Sequence, residues 1–433
     1  MVQSRSFSSA FSRRRFLQSS GAAVGAATLG SSFLAACAGT SSGNGGNSSL
    51  PSITQWYHEY GETGTNAAVL RYAKAYTKAN VTVDWVLGTA DLYPGKLQTA
   101  LLGDKAPDIF ELQNVSTSQV KAGLLEPLDD IIGPVKSDFL AASLAPYTVN
   151  GSVYAIPMIG DPQFIYYRKS LFQAAGITQV PTTFAELMSA AQKLTTSSRK
   201  GLYIGNDGGV TSLTYPLLWT IGDLISSDNK IAFNTQDVAD SYDQLHALNK
   251  SGSLLIGAPT DWTDPSAFEQ GLTAMQWCGL WAMPGITKAL GDDFAIFPLP
   301  PVSSNGKPAT IAGGWGESVS AKSKNVAAAK AYLKYLWIDT QSVQTDWNVG
   351  YGFHVPPRKS IAAKTTKLES GQAAVAVNIL NQYGHSKPTL WDAAMDTALT
   401  GAVSNIIKNG GNALTQLNQA AAQCTTELKK VLG

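Results

Sequence analysis

Carboxylates and aromatic rings, rather than thiols or phosphate loops, carry the chemistry this chain could perform. Trp56, His58 and Glu59 close one apolar run, and Glu111 and Gln113 close another. Rings of this kind stack on a flat apolar face, and acceptors of this kind bind hydroxyls, most strongly when ionised. Trp315 follows Gly313-Gly314, whose missing side chains would let a ligand approach the backbone. The histidines at 58, 246, 354 and 385 show no paired spacing, and Cys278 and Cys424 have no CxxC companion, so no metal is expected. Those two cysteines read as buried thiols or as one bridge. No Walker A or Rossmann fingerprint occurs, and no cofactor is expected. Gly39-Thr40-Ser41-Ser42-Gly43 spells G-x-S-x-G, but no strand precedes it and no helix follows.

The elements that must position these groups begin only after an address. Residues 1–36 carry Arg5, Arg13, Arg14 and Arg15 and no acid. Ser12-Arg13-Arg14-Arg15-Phe16-Leu17 reads as a twin-arginine export signal, followed by a short, weakly apolar run. Leu34-Ala35-Ala36-Cys37 looks like a lipobox, which makes Cys37 the expected lipidation site; a spare cysteine behind a plain signal peptide is the alternative. Residues 37–50, rich in Gly, Ser and Asn, read as a flexible tether. No stretch reaches the roughly 18 apolar residues of a membrane span.

The remaining chain is globular: of the 433 residues 44% are hydrophobic and 15% charged, which excludes a disordered protein. Lys+Arg 32 against Asp+Glu 31 gives a net charge of +1, with no footprint for nucleic acid. Strands are expected at 53–57, 81–86 and 108–112, with helices between them, the first capped by Thr65 or Asn66. This alternation predicts α/β architecture with a mostly parallel sheet, and ligands in such sheets sit at the carboxyl ends of strands. A second set follows: an apolar run at 164–167, a Thr183/Glu186 capping box opening a helix, and helical periodicity at 238–248, 267–275 and 326–337. Beyond 369 the text is almost wholly helical, with Trp391 in one such segment.

Several segments together resemble the extracellular solute-binding proteins of carbohydrate ABC importers, the relatives of maltose-binding protein. These include Ala106-Pro107-Asp108-Ile109-Phe110, Ala122-Gly123-Leu124-Leu125-Glu126-Pro127-Leu128 and Ile165-Tyr166-Tyr167-Arg168-Lys169-Ser170-Leu171-Phe172. Ala267-Phe268-Glu269-Gln270-Gly271, Gly279-Leu280-Trp281 and Phe297-Pro298-Leu299-Pro300 continue the match in order. The resemblance implies a periplasmic-binding-protein-like fold of two lobes, each a mostly parallel sheet flanked by helices, joined by three hinge crossings. They are placed near Gly160–Phe164, Asp292–Phe297 and Trp337–Gln341. The first lobe would be 51–161 with 297–338, and the second 162–296 with 339–433.

It further implies a monomer that captures a mono- or oligosaccharide between the lobes and passes it to the importer's transmembrane subunits, held to the outer face of the membrane by lipidated Cys37. Trp281 becomes the leading stacking residue, with a core tryptophan as the alternative. Trp315 and Gly314, the Trp56, His58 and Glu59 loop, Glu111 and Gln113 would meet the ligand from the first lobe; packing or solvent exposure is the alternative for the loop, and a hinge or surface salt bridge for Glu111 and Gln113. Asp161 and Gln163 flank the first crossing, Tyr215 and Trp219 fall in another ligand-facing segment, and Tyr351 precedes the loop at 353–358. Maltose binders have an aromatic-acid-basic cluster where this chain has Gln113-Asn114-Val115, which argues against maltodextrin. Two cleft carboxylates could instead cleave a glycoside, but no nucleophile–base pair has motif support. The same fold could bind a polyamine, a phosphorylated polyol or a metal complex. Phosphate would want an Arg cluster or exposed helix N-termini, but the candidate segments contain no Arg or Lys, and a polyamine would want more acids.

Overall fold

The structure, a computed structural model, describes residues 50–87 and 92–433. The export signal, Cys37 and most of the tether lie outside the described residues.

Along the chain, β1 (Ser52–His58), α1 (Thr65–Ala75), β2 (Asn80–Val86), α2 (Tyr93–Leu102) and β3 (Ile109–Leu112) alternate as the periodicity predicts. The short α3 (Thr117–Lys121), β4 (Ile156–Pro157) and β5 (Gln163–Tyr167) follow, and then α4 (Phe184–Leu194), β6 (Lys200–Tyr203), α5 (Val210–Trp219) and α6 (Gln236–Lys250). Next come α7 (Ser266–Glu269), β7 (Thr273–Gly279), β8 (Ala295–Phe297), β9 (Thr310–Ile311), β10 (Gly316–Val319) and α8 (Val326–Lys334). The last elements are α9 (Gly371–Tyr383), β11 (Gly384–His385), α10 (Ala393–Asn409) and α11 (Ala413–Leu432).

Two sheets organise two lobes. The first runs β2-β1-β3-β10-β4, with β1 parallel to β2 and β3, and β10 antiparallel to its neighbours. The second runs β8-β5-β7-β6, in which β5 is antiparallel to both neighbours and β6 and β7 pair in parallel. The α/β reading holds, and in each sheet one strand, β10 in the first and β5 in the second, runs against the others. β8 follows a helix at Met283–Leu290 and pairs antiparallel with β5. β7 is buried at every position, as expected of a strand covered on both faces.

Three other expectations give way. Helical periodicity at 267–275 resolves into the one-turn α7 and the strand β7. Gly271, at φ 76°, ends the turn: its N–H reaches the Phe268 carbonyl and that of Leu272 the Ala267 carbonyl, a Schellman stop. Neither Thr65 nor Asn66 caps α1; left-handed Gly64 precedes it, and Thr65 Oγ1 instead donates to the Glu62 carbonyl. The core boundaries differ as well. Phe297, Leu299 and Ala309 pack in the second lobe, whereas Val343 and Trp347 join Ile53, Phe110 and Trp337 in the first. Arg358 extends that first-lobe surface, donating to Asp138 and to the Ile338 carbonyl. The third crossing therefore falls later than Trp337–Gln341.

The Thr183/Glu186 capping box forms as read: Thr183 Oγ1 accepts the Glu186 N–H at 3.2 Å, and Glu186 accepts the Thr183 N–H at 3.2 Å. Thr183→Ala leaves one helix N–H without its acceptor and should lower stability by about 1 kcal/mol. A denaturant midpoint unchanged at constant slope would show that water replaces the cap without loss.

Candidate functional site

At the carboxyl ends of β1 and β3, a fully buried carboxylate organises a wall of rings. Glu111 Oε2 accepts the His58 backbone N–H at 2.7 Å and lies 2.7 Å from His58 Nδ1, while Oε1 accepts the Tyr60 hydroxyl at 2.5 Å. The His58 ring is held between Tyr60, at 3.8 Å between centroids, and Trp315, stacked at 4.0 Å. Tyr93 meets Trp315 edge-on at 5.6 Å; its hydroxyl accepts the Glu111 N–H and donates to the Trp56 carbonyl. Glu111 thus orients His58 and Tyr60 with both oxygens and is itself fully buried. Burial first, then the charge of Glu111, pushes the Tyr60 hydroxyl well above its ordinary value, so it stays a donor.

A second cluster pins the crossings. His354, 2% exposed, lies between two carboxylates, with Nδ1 2.5 Å from Asp161 and Nε2 3.0 Å from Glu62. Burial works against the charged ring, but Asp161 and then Glu62 outweigh it and push His354 up to about 10. The Glu62 carboxyl lies below its usual range, because contact with His354 overcomes burial. Backbone bonds join the same strands: Gly160 and Val355 exchange N–H···O=C bonds at 2.8 and 2.9 Å, and the Asp161 N–H reaches the Gly313 carbonyl at 2.9 Å. Gly314, at φ 143°, serves this junction, since a Cβ there would stand 2.1 Å from the Ile159 carbonyl oxygen. The close approach expected of Gly313-Gly314 is thus to a neighbouring strand.

On the second lobe, Gln163 Oε1 accepts the Trp277 indole N–H at 3.2 Å. Trp281 is half-buried just beyond β7; its N–H donates to the Thr263 carbonyl at 2.9 Å and its ring covers Gly279. Trp262 meets it edge-on at 6.1 Å. Trp262 is itself buried, and its indole N–H has no acceptor among the described residues. Sequence reading passed over Trp262, Tyr60, Glu62 and His354. The Asp261-Trp262-Thr263-Asp264 run beside the apolar text of 267–280 was the available signal for the first.

The structure therefore gathers Glu111, His58 and Trp315 in one network and Asp161 beside it, with Gln163 and Trp281 on the second lobe. The other candidates fall elsewhere. Tyr215 and Trp219 are buried in the second-lobe core, where the Tyr215 hydroxyl donates to Asp396 and Trp219 stacks on His385 at 5.5 Å. Trp391 is not helical but precedes α10, and its indole N–H donates to Asp396 at 3.0 Å. Tyr351 lies on the first lobe, its hydroxyl accepting from Arg71 at 2.9 Å. Trp56 reaches along the sheet to Asp84 at 3.1 Å, and Glu59 and Gln113 are exposed. Cys278 and Cys424 are free buried thiols, and burial pushes Cys424 up to about 12.

Residues 51–336 match the sequence profile of the bacterial extracellular solute-binding proteins. The chain belongs to that family. The diacetylchitobiose-binding protein DasA of Streptomyces coelicolor is 26% identical over 259 residues, 55% of this chain and 58% of that protein. The maltooligosaccharide ABC transporter solute-binding lipoprotein of Streptococcus pneumoniae is 25% identical over 347 residues, 74% of this chain and 77% of its own. The maltose-bound MalE3 of T. maritima superposes with a TM-score of 0.74 at 19% identity, over 88% of this chain and all of that one. The two-lobed binding-protein fold is thereby shared, and the family is one of binding proteins rather than enzymes.

His354 sets a pH dependence. Its raised folded value means that its contribution is complete below about 6.5, the ordinary value, and is lost as pH rises toward about 10. His354→Gln leaves two buried carboxylates unpaired and should cost about 3 kcal/mol near neutrality. Urea denaturation should show the gap between the proteins narrowing as pH approaches 10; a constant gap would mean that the ring is neutral.

Proposed function

We propose that this solute-binding protein captures a neutral carbohydrate between its lobes and delivers it to the transmembrane subunits of an ABC importer. The observation that carries the reading is the Trp281–Trp262 corner: a half-exposed indole for the C–H face of a sugar beside an indole N–H with no acceptor among the described residues. The wall of Trp315, His58 and Tyr60 supports a second contact surface from the first lobe, with Asp161 and Gln163 between them. The relatives named for diacetylchitobiose and maltooligosaccharides bind ligands of this class. The candidate segments contain no Arg or Lys, which favours an uncharged ligand. Closure around the sugar is a hinge motion about the crossings, and the closed form is what the importer reads.

A thermal-shift screen with neutral saccharides identifies the ligand, since binding to the folded state alone raises the melting temperature. Trp281→Ala and Trp262→Ala should each weaken it about thirtyfold or more while leaving the fold intact. Trp391→Ala, which removes a buried indole of the second-lobe core, should lower stability and change affinity far less than either corner variant. Calorimetry showing wild-type affinity for both corner variants would remove the corner from the site.

The address belongs to the same proposal. The twin-arginine signal exports the chain and Cys37, acylated after cleavage, holds the monomer to the outer face of the cytoplasmic membrane. Cys37→Ser should move a folded, ligand-competent protein into the soluble fraction, because stable attachment needs more than one acyl chain and no helix of the described residues is long and apolar enough to span a membrane. Retention on membranes after a high-salt wash would exclude the lipid as the anchor.

A further inference from the structure

Besides the crossings, one segment joins the lobes. It begins at β11, where the Ala312 N–H reaches the His385 carbonyl at 2.7 Å and Trp219 stacks on the His385 ring. It ends at Trp391, buried in the second-lobe core. Between these anchors Lys387 ion-pairs with Asp396 at 2.9 Å and lies 4.5 Å from the centre of the Tyr215 ring. Both ends and the near half are therefore fixed to the second lobe. At the middle of the segment, the Thr389 carbonyl accepts the backbone N–H of Thr117 at 2.7 Å.

Thr117 belongs to the first lobe. It is the first residue of α3, four positions beyond Gln113 at the ligand-facing end of β3, and Ser116 caps the helix with a complete capping box. The Val115 N–H, bonded to the Pro146 carbonyl at 2.8 Å, ties α3 to the first-lobe core. The first N–H groups of a helix have no partner within it, so the Thr389 carbonyl fills a position that water would otherwise take. The far end of α3 is met as well: Lys121 Nζ lies 3.3 Å from where a Cβ on Gly433 would stand, at the end of α11. Second-lobe segments thus bond to the start of one first-lobe helix and lie close to its end without being crossings.

We propose that residues 384–391 form a strap that clasps α3 from the cleft side and stabilises the closed arrangement of the lobes. Lobe rotation must break the Thr117–Thr389 bond, and because water then solvates both groups, the bond shifts the open–closed balance by a modest factor of roughly two to ten. Such a factor holds the lobes together when a ligand adds its contacts, and lets them part when it leaves. The ligand arm of the test rests on the proposed carbohydrate site; the other arms do not.

Thr117→Pro isolates the bond. Proline is favoured at the first helical position, and Ser116, at φ −97° and ψ 146°, already has the extended conformation required before it, so only the N–H is lost. Thr117→Ala, which keeps the N–H, is the control. Without any ligand, the Thr117 amide of the wild-type protein should exchange with solvent at least tenfold more slowly than an exposed amide, and Thr117→Pro should have a larger radius of gyration than Thr117→Ala. With diacetylchitobiose or maltotriose as probe, whichever binds the wild type, Thr117→Pro should bind two- to tenfold more weakly. An unprotected Thr117 amide, equal radii for the two variants, or tighter binding by Thr117→Pro would each overturn the strap. If Thr117→Pro does not melt cooperatively, Pro388→Gly, which loosens the strap with the N–H intact, should show the same expansion, and an unchanged radius there would be equally adverse. Failure of both sugars to bind the wild type counts against the carbohydrate reading and leaves exchange and scattering to decide the strap.

Discussion

An imidazolium buried between two carboxylates is the constraint on which the arrangement of this molecule depends. Asp161 stands on the first crossing, His354 on the strand that returns beside it, and Glu62 on the loop that leaves β1. Remove the ring's charge and two buried acids face each other, a condition that low-dielectric surroundings punish severely. The groups around the triad share this balance: the neighbouring His58–Glu111 pair, Tyr60, and Tyr147, whose hydroxyl burial raises first and Asp161 and Glu111 raise further. The three members come from segments almost three hundred residues apart, and their pairing ties those segments together.

The same logic of satisfied burial builds the first-lobe wall. The register of β3 and β10 sets Glu111 directly opposite Glu317. Glu317 is fully buried; desolvation, with the charge of Glu111 added, pushes it up to about 8 despite hydrogen bonds from Trp337 and Gln55. Glu317 can thus stay neutral beside Glu111, whose two oxygens serve His58 and Tyr60. The ring stack is rigid because a carboxylate grips it from beneath, and rigidity in the free protein reduces what a ligand must order on binding.

What could be read from the chain was local. The Thr183/Glu186 box and the alternation of β1 to β3 depend on neighbours a few positions away, and they formed where the pattern placed them. The strand at 273–279 was lost because an Ala-Phe-rich run satisfies helical spacing as well as it satisfies a strand buried on both faces, and only the stop at Gly271 distinguishes the two. Among the candidate residues, strand ends pointed to His58 and Glu111, the Gly-Gly pair to Trp315 and the family resemblance to Trp281, but none of these signals says what each side chain touches. Glu111 was read as meeting a ligand when its oxygens serve neighbours, and Tyr215, Trp219 and Tyr351 pair with Asp396, His385 and Arg71, none of which any spacing rule connects to them. His354 looked isolated because its partners are distant in sequence.

The position of β10 bears on how the chain acquires its shape. This strand lies inside the first sheet, between β3 and β4, yet it is made after the whole second sheet. Until Gly316–Val319 arrives, β3 and β4 each present an unpaired backbone edge, of the kind that invites pairing with other chains. The second lobe waits likewise for α10 and α11, which contribute Val403, Ile406, Leu417 and Leu428 to its core. Neither lobe is therefore a segment that can mature while the other is still being synthesised. A truncated product is a source of aggregation rather than of half a receptor, and the emerging polypeptide must be shielded until nearly its last helix is available.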